Sequence, residues 1–170
     1  TQDVVSATAR SFCFPTAANV CSGAIGLLVV LLVAISPGSS HAQTTDRVLT
    51  EPRPVADTVA RGVFRDGDPV HRGSGKLEIL RAPDGTVTIR LEAMEIVPGP
   101  NLFVYLVKEP DPLFPEDVTA GFTSLGKLKS RSGDQNYELP QNLSIDDWGS
   151  VVVWCDTFRV QFAVATIEGN

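Results

Sequence analysis

Few side chains in this sequence have the chemistry of a catalytic or ligand-binding group, and the clearest of them is one cysteine near the C-terminus. Cys155 lies in the segment SVVVWCDTFRVQF (150–162), and the two other cysteines, Cys13 and Cys21, lie close to the N-terminus. A lone thiol can form a sulfenic acid, exchange with a disulfide or bind haem iron as thiolate. It can equally serve as a small apolar side chain in a core.

The pattern around Cys155 is that of a strand rather than of a ligand loop. By alternation, Cys155 shares a face with Val151 and Val153, whereas Val152 and Trp154 face the other way. This placement favours a buried thiol. If the domain is exported, as residues 1–42 indicate, Cys155 meets an oxidising compartment. Val or Ala would be safer there at an inert position, so the presence of a cysteine favours a reactive thiol.

His71 is the second candidate, as the one histidine in the chain after residue 42. Blue-copper and zinc sites need more His and Cys ligands than His71 and Cys155 provide. The segment DPVHRGSG (68–75) has no nucleophile-elbow spacing. We therefore expect no complete catalytic constellation and no stand-alone enzyme, with a hydrolase using HRGSG as a weak alternative. A lone histidine is more often a structural hydrogen-bonding residue.

The positions of the carboxylates in the sequence indicate solvated surface charges rather than a pair of catalytic acid and base. The adjacent pairs Glu116–Asp117 and Asp146–Asp147 fall in predicted loops, where neighbours in sequence do not give the opposed placement that glycosidases need. The formal net charge is −6 and no basic run occurs, which argues against a nucleic-acid surface.

Residues 1–42 have the order of a secretory signal peptide. Arg10 precedes an uncharged apolar run, Gly23–Ile35, and small residues occupy positions −3 and −1 of a cut after Ala42. The run has 13 residues, fewer than the ~20 that cross a bilayer. We expect residues 43–170 to be extracytoplasmic, secreted or periplasmic. An uncleaved N-terminal membrane anchor is the alternative.

The remaining chain predicts an all-β domain without helices of useful length. Residues 43–57 are polar with two prolines and are expected to be a linker, and 58–170 form the β domain. Short β-rich segments separated by turn residues predict eight or nine strands in a small antiparallel sandwich or barrel. This domain follows the apolar leader helix.

Five local features make that prediction specific. Alternating segments flank APDG (82–85) and predict a hairpin, and a second hairpin is predicted around RSGD (131–134). The apolar run 101–107 predicts a central strand with both faces covered. A tight connection is expected between 150–155 and 159–167. One helical turn, capped by Ser144, is expected nearby.

These segments, in this order, resemble the DM13 family of small extracytoplasmic β-domains, which often occur beside DOMON domains. The resemblance covers 58–167, and its most specific part is VVVWC…F.V.F..A (151–165), joined to the upstream G.Q.Y.LP element. The family cysteine falls on Cys155. The H…SG element falls on His71, Ser74 and Gly75, and G.Q.Y.LP falls on Gly133, Gln135, Tyr137 and Pro140. Trp148 and Ala163 depart mildly from the family pattern, where tyrosine and glycine are more usual.

The resemblance implies electron transfer or redox chemistry through Cys155. The thiol would act bare or as ligand to a prosthetic group such as haem, with His71 as a second candidate ligand and a redox protein as partner. The competing hypothesis is a non-catalytic binding or adhesion module in which Cys155 is a core residue.

Overall fold

A computed structural model describes residues 47–169, and within them nearly all regular structure is β-strand. The predicted all-β fold class is therefore confirmed. The strands are β1 (Leu49–Thr50), β2 (Asp57–Asp66), β3 (Gly73–Arg81), β4 (Val87–Ile96), β5 (Leu102–Val107), β6 (Phe122–Lys127), β7 (Ser132–Glu138), β8 (Ser150–Cys155), β9 (Val160–Thr166) and β10 (Glu168–Gly169). One short helix, α1 (Pro115–Thr119), precedes β6, and a 3-10 turn (Ile145–Asp147) precedes β8.

The strands form one curled sheet in the order β1-β7-β4-β3-β2-β9-β8-β5-β6, with β10 added beside β2. Strand β2 joins the two halves, because Asp57 to Phe64 pair with β3 while Arg65 and Asp66 pair with β9. The pairings are antiparallel except that of β1 with β7. Apolar side chains from both halves meet in one core, so the curled sheet has the shape of an open half-barrel.

Four local predictions are confirmed. Strands β3 and β4 pair as a hairpin around the Asp-Gly turn, where the Ala82 amide donates to the Thr86 carbonyl. Strands β8 and β9 pair across the short turn 156–159. Strand β5 is paired on both sides, by β6 and β8, as a central strand should be. The Ser144 side chain accepts the Asp146 amide and begins the 3-10 turn.

The second predicted hairpin, around residues 131–134, is wrong. Strand β6 pairs with β5, whereas β7 pairs with β4 and β1, in the other half of the sheet. The turn residues mark where one strand ends and the next begins. They do not specify the partner, which is decided by where each strand buries its apolar face.

Part of the expected linker, residues 43–57, belongs to the domain. Leu49 and Thr50 pair in parallel with Gly133 and Asp134 of β7, and the Glu51 amide donates to the Asp134 carbonyl. The predicted leader, residues 1–42, lies outside the described residues. Within 47–169, no helix has the length and apolar character needed to cross a bilayer.

The long connection between β5 and β6, residues 108–121, covers the outer face of β5, β8 and β9, and we call it the strap. This proline-rich segment was expected to be a loop, and it is one except for α1. Val118 of α1 packs against Tyr105, Val152 and Trp154 in a second, smaller core. Strands β5 and β8 are therefore buried on both faces.

Strand directions bring four connections together at one end of the half-barrel. Strands β2, β4, β6 and β8 end there, and β3, β5, β7 and β9 begin there. We call this the loop end. Its connections are the turn 67–72, the loop 97–101, the connection 128–131 and the turn 156–159.

Candidate functional site

Cys155 is the last residue of β8 and lies in the core at the loop end. Its exposure is 0 %, and it pairs across the ladder with Leu102 of β5 and Val160 of β9. Cys155 belongs to the main core with Val151 and Val153. Val152 and Trp154 lie in the smaller core on the other face, so the alternation read from the sequence is confirmed.

One loop closes over the thiol. Cys155 Sγ donates a hydrogen bond to the Pro100 carbonyl at 3.0 Å. The loop 97–101 is held at its ends by backbone bonds from the Val97 amide to the Arg72 carbonyl, at 3.0 Å, and from the Asp156 amide to the Asn101 carbonyl, at 3.2 Å. Cys155 is therefore near a strand terminus and under a short loop, rather than in the middle of the sheet.

His71 lies at the same end, in the turn between β2 and β3. Its Nδ1 is 2.6 Å from Asp68 Oδ2, and Asp68 Oδ1 accepts the amides of Val70 and His71 at 2.7 Å. The hydrogen bond from the His71 ring, together with the two amides, lowers the pKa of the Asp68 carboxyl despite some burial. Asp68 and His71 thus stabilise each other and the turn.

A phenylalanine links the two candidate residues. The His71 ring lies 4.6 Å from the Phe162 ring, centroid to centroid. On its other side, Phe162 packs so closely on Gly99 that a Cβ there would lie 2.5 Å from the ring. Gly99 precedes Pro100, whose carbonyl binds Cys155. His71 and Cys155 are therefore connected indirectly, through Phe162 and the loop 97–101. Within residues 47–169, their side chains form no hydrogen bond with each other.

The remaining residues matched to the resemblance shape the backbone. Gly75 has φ +143 at a bulge in β3, and a Cβ there would lie 2.5 Å from Met94 Sδ. Gly133 has φ +98, and a Cβ there would lie 1.9 Å from the Leu49 carbonyl oxygen. Only glycine allows these close approaches without displacing a neighbour.

Gln135 and Tyr137 form a buried hydrogen-bond network under the connection between β6 and β7. Tyr137 Oη donates to Gln135 Oε1 at 2.9 Å, and the Lys129 amide reaches both oxygens at 3.1 Å. Gln135 Nε2 donates to the Ser130 carbonyl at 2.8 Å. Burial raises the pKa of Tyr137, so its hydroxyl remains a neutral donor.

The surroundings of Cys155 do not fit haem ligation. Its thiol is fully enclosed, donates to a carbonyl and packs against apolar side chains, which leaves no face of the sulfur for an iron atom. Residues 47–169 contain no cluster of three or more His, Cys, Asp and Glu side chains placed to hold a metal ion. His71 binds Asp68 and is not aimed at the sulfur.

A shallow cleft of about 360 Å³, with both polar and apolar lining, opens at the loop end beside these residues. Its wall includes Ser74 from the H…SG element and Val97 from the loop over Cys155, but neither His71 nor Cys155. The other lining residues are Asp66, Arg72, Gly73, Glu95 and Ile96. The cleft therefore borders the loop that covers the thiol.

Sequence reasoning missed Pro100, Phe162 and Gln161. Gln161 is 3 % exposed, and its Nε2 donates to the carbonyls of Pro112 and Leu113, both at 3.2 Å, which attaches the strap to β9. A glutamine inside an otherwise apolar strand was an available signal. Nothing in the spacing indicated that Pro100 would cover Cys155, because the two are 55 residues apart.

Comparison with known proteins adds one positive finding. A family model described as electron transfer DM13 matches residues 64–167, which is more than half of the chain. No curated protein matches the chain, and no solved structure does. The matched range begins in β2, ends just beyond β9, and includes His71, Phe162 and Cys155.

Proposed function

Because the chain belongs to the DM13 family, which is described as an electron-transfer family, we propose that it is an electron-transfer domain that works through Cys155 at the loop end. Cys155 is the one thiol among residues 47–169. The observation that supports this choice most directly is the cover: the thiol is buried at the end of its strand, and the short loop 97–101 binds the sulfur through Pro100.

The reaction that this environment supports is thiol–disulfide exchange. Cys155 as thiolate attacks one sulfur of a disulfide on a partner protein, which forms a mixed disulfide and releases the other sulfur as a thiolate. The proton lost by Cys155 ends on the released thiol. A dithiol on a second partner protein supplies the electrons: its first thiolate attacks the Cys155 sulfur of the mixed disulfide and releases the remaining thiol of the first partner. Its second thiolate then attacks its own sulfur in the new mixed disulfide, which forms the donor's disulfide and restores the Cys155 thiolate. Two electrons thus pass from the donor dithiol to the original disulfide.

The loop 97–101 would control access to this reaction. In the closed arrangement the thiol donates to Pro100 and is shielded, so it does not react with small disulfides. Opening breaks one S–H···O bond and moves Gly99 off the Phe162 ring. We propose this opening as the step that makes the sulfur reactive.

The first prediction concerns the rate of thiol reaction. In a chain whose Cys13 and Cys21 are Ser, Cys155 is expected to react slowly with Ellman's disulfide reagent in native buffer, and at once in denaturant. Gly99→Ala, whose Cβ would lie 2.5 Å from the Phe162 ring, should loosen the loop and raise the native rate about tenfold or more. Absorbance of the released thionitrobenzoate measures both rates.

Gly169→Ala is the matched control, because a Cβ there meets nothing within 4 Å. It should leave the native rate unchanged. If Gly99→Ala folds as the parent does and the thiol still reacts only in denaturant, the gated-thiol proposal fails.

The complete burial of Cys155 supports a second candidate, a non-catalytic binding module with a structural cysteine. In that case Cys155→Val would fold normally and retain binding of its natural partner. Electron transfer to the partner distinguishes the two candidate functions. Cys155→Ser should abolish this transfer if the domain works through its thiol, and should have no such effect if Cys155 is structural.

A further inference from the structure

Exposed apolar side chains are concentrated at the loop end. Among the described residues, eight large apolar side chains are exposed, and four of them lie at this end of the half-barrel. Two are on its turns, and two are on the strap where it reaches Gln161. They are Val70 (75 % exposed), Leu113 (61 %), Phe114 (64 %) and Phe158 (63 %), and we call them the loop-end patch. Single exposed apolar residues are ordinary, but several on adjoining loops indicate a contact surface.

The segments that carry the patch are anchored to one another. Gln161 Nε2 donates to the carbonyls of Pro112 and Leu113 at 3.2 Å and lies 3.4 Å from the Gly67 carbonyl. One buried side chain therefore connects the strap, the turn 67–72 and β9. The patch is presented by fixed backbone, which lowers the entropy cost of binding.

A second anchor acts on the strap from β2. The Arg65 guanidinium binds Asp111 Oδ1 at 2.6 Å and donates to the Pro112 carbonyl at 2.9 Å. In the turn 156–159, the Arg159 amide donates to the Cys155 carbonyl at 2.8 Å. Phe158 therefore projects from the turn that immediately follows the cysteine strand.

Acidic groups outnumber basic ones around the patch. Leaving aside the paired Arg65 and Asp111, the acidic residues on these segments and at the end of β2 are Asp66, Asp68, Glu109, Glu116, Asp117 and Asp156, against Arg72, Lys108 and Arg159. This surplus disfavours a second copy of the same face and an anionic membrane. It favours a partner whose apolar contact surface is rimmed by Lys and Arg.

We propose that the loop-end patch docks a basic partner protein beside Cys155. The role of this partner, as a redox protein, rests on the proposed electron-transfer function. Its binding site is inferred from the patch and the charges around it. The contact is expected to be small and weak, as is usual for transient electron-transfer encounters. Docking against the turn 156–159 and the strap would bring the partner next to the loop that covers the thiol.

The test uses cytochrome c, a small basic redox protein, as the probe in a titration of the 15N-labelled protein followed by NMR. Amide shifts are expected at the non-proline residues of 67–72, at 113–114 and at 156–159, and should weaken as salt is raised. Phe114→Ser combined with Phe158→Ser should lower the affinity about tenfold. The matched control, Val55→Ser with Val63→Ser, removes two side chains that are 97 % and 73 % exposed elsewhere and should leave it unchanged.

Several results would overturn the docking proposal. They are shifts centred on another surface, no shifts at the loop end, equal losses in the two double variants, and self-association or vesicle binding that depends on Phe114 and Phe158. The thiol measurement with Ellman's disulfide keeps the two proposals apart, because cytochrome c reports docking only. If docking fails while Cys155 of Gly99→Ala exchanges with Ellman's disulfide, only the docking is lost. If docking holds while that thiol still reacts only in denaturant, the proposed function is lost.

Discussion

At the residue scale, the most informative polar side chains are those that hold backbone rather than those that could react. Gln135 and Tyr137 are both buried, and they share the Lys129 amide between them. A buried polar group costs free energy unless it is paired, so each of these groups depends on the others. The G.Q.Y.LP element therefore has a structural explanation, which is the support of the connection from β6 to β7.

Tyr137→Phe tests that explanation. The change removes a hydroxyl that donates to Gln135 Oε1 and accepts the Lys129 amide, so two buried groups lose a partner. The free energy of unfolding should fall by about 0.5–1.5 kcal/mol, because Gln135 Oε1 and the Lys129 amide keep their bond to each other. Urea denaturation followed by tryptophan fluorescence measures it.

Tyr105→Phe is the control for this substitution, since Tyr105 is also buried but its hydroxyl makes no hydrogen bond within the described residues. It should change the free energy of unfolding by less than about 0.5 kcal/mol. Equal effects in the two variants would show that ring packing, not the hydroxyl network, is what matters at Tyr137.

Also at the residue scale, His71 and Cys155 differ in the contacts that their side chains make. His71 stabilises a turn through Asp68 and packs on Phe162, so its contacts are those of a structural residue. Cys155 has one polar contact and is otherwise enclosed by apolar groups. Of the two, Cys155 is the one whose reactivity would change when a neighbouring loop moves.

At the element scale, β1 shows how one glycine position decides whether a segment joins the sheet. Leu49 approaches Gly133 of β7 so closely that a Cβ would lie 1.9 Å from the Leu49 carbonyl oxygen. The pairing then places Glu51 where its carboxylate accepts the Asn136 amide at 2.7 Å and binds Lys129 Nζ at 2.8 Å. Attachment of this edge therefore depends on the absence of a side chain at Gly133.

Gly133→Ala should release β1. The amide of Glu51, which binds Asp134 in the parent, should lose its protection in hydrogen exchange. Gly126→Ala is the matched control, because Gly126 also has a positive φ, +118, but a Cβ there meets nothing within 4 Å.

Both variants carry backbone strain, of about 1 kcal/mol. We expect Gly133→Ala to lose at least about 1 kcal/mol more in the free energy of unfolding than Gly126→Ala, because only it also has a steric clash. Retained protection at Glu51 in Gly133→Ala would contradict this account of β1.

The strap is the second element with a distinct role. It leaves the sheet after β5, runs along the outer face to Gln161 at the loop end, and returns through α1 to β6. It thereby covers the outer face of the cysteine strand and carries Leu113 and Phe114 of the loop-end patch. The same segment contributes to stability and to the proposed contact surface.

At the scale of the described domain, the half-barrel places four connections, the cysteine and the patch at one end. Strand β2 makes this possible, since it pairs with β3 over most of its length and turns to β9 at Arg65 and Asp66. The turn 67–72 comes directly after β2 and is brought over Phe162. A family model that begins at Phe64 and ends at Ile167 spans this arrangement.

We propose that the domain is exported, and the state of its N-terminus tests this. Expressed with residues 1–42 in a bacterial host that has a secretory pathway, the chain should be recovered outside the cytoplasm with Gln43 as its first residue. N-terminal sequencing and intact mass measure the cut. Ala42→Lys is expected to block cleavage, because the −1 position requires a small residue, whereas Thr45→Lys beyond the cut should not.

Recovery of an intact N-terminus in the membrane fraction would support the uncleaved anchor instead. Recovery in the cytoplasm would contradict export in either form. Neither result bears on the fold, because β1 begins at Leu49, after the predicted cut.

The sequence by itself determined the features that depend on near neighbours along the chain. Alternation and turn residues predicted the β3–β4 and β8–β9 hairpins, the two-sided burial of β5 and the opposite faces of Cys155 and Trp154. The quoted segments also indicated the DM13 family. These patterns are local because strand period and turn chemistry act over a few residues.

Only the tertiary structure decided which distant parts meet. It separated β6 from β7, placed Pro100 over Cys155, packed His71 on Phe162 and brought the strap to Gln161. Such contacts arise from how the two halves of the sheet jointly bury their apolar faces, a sum over the whole chain that no short stretch of sequence contains.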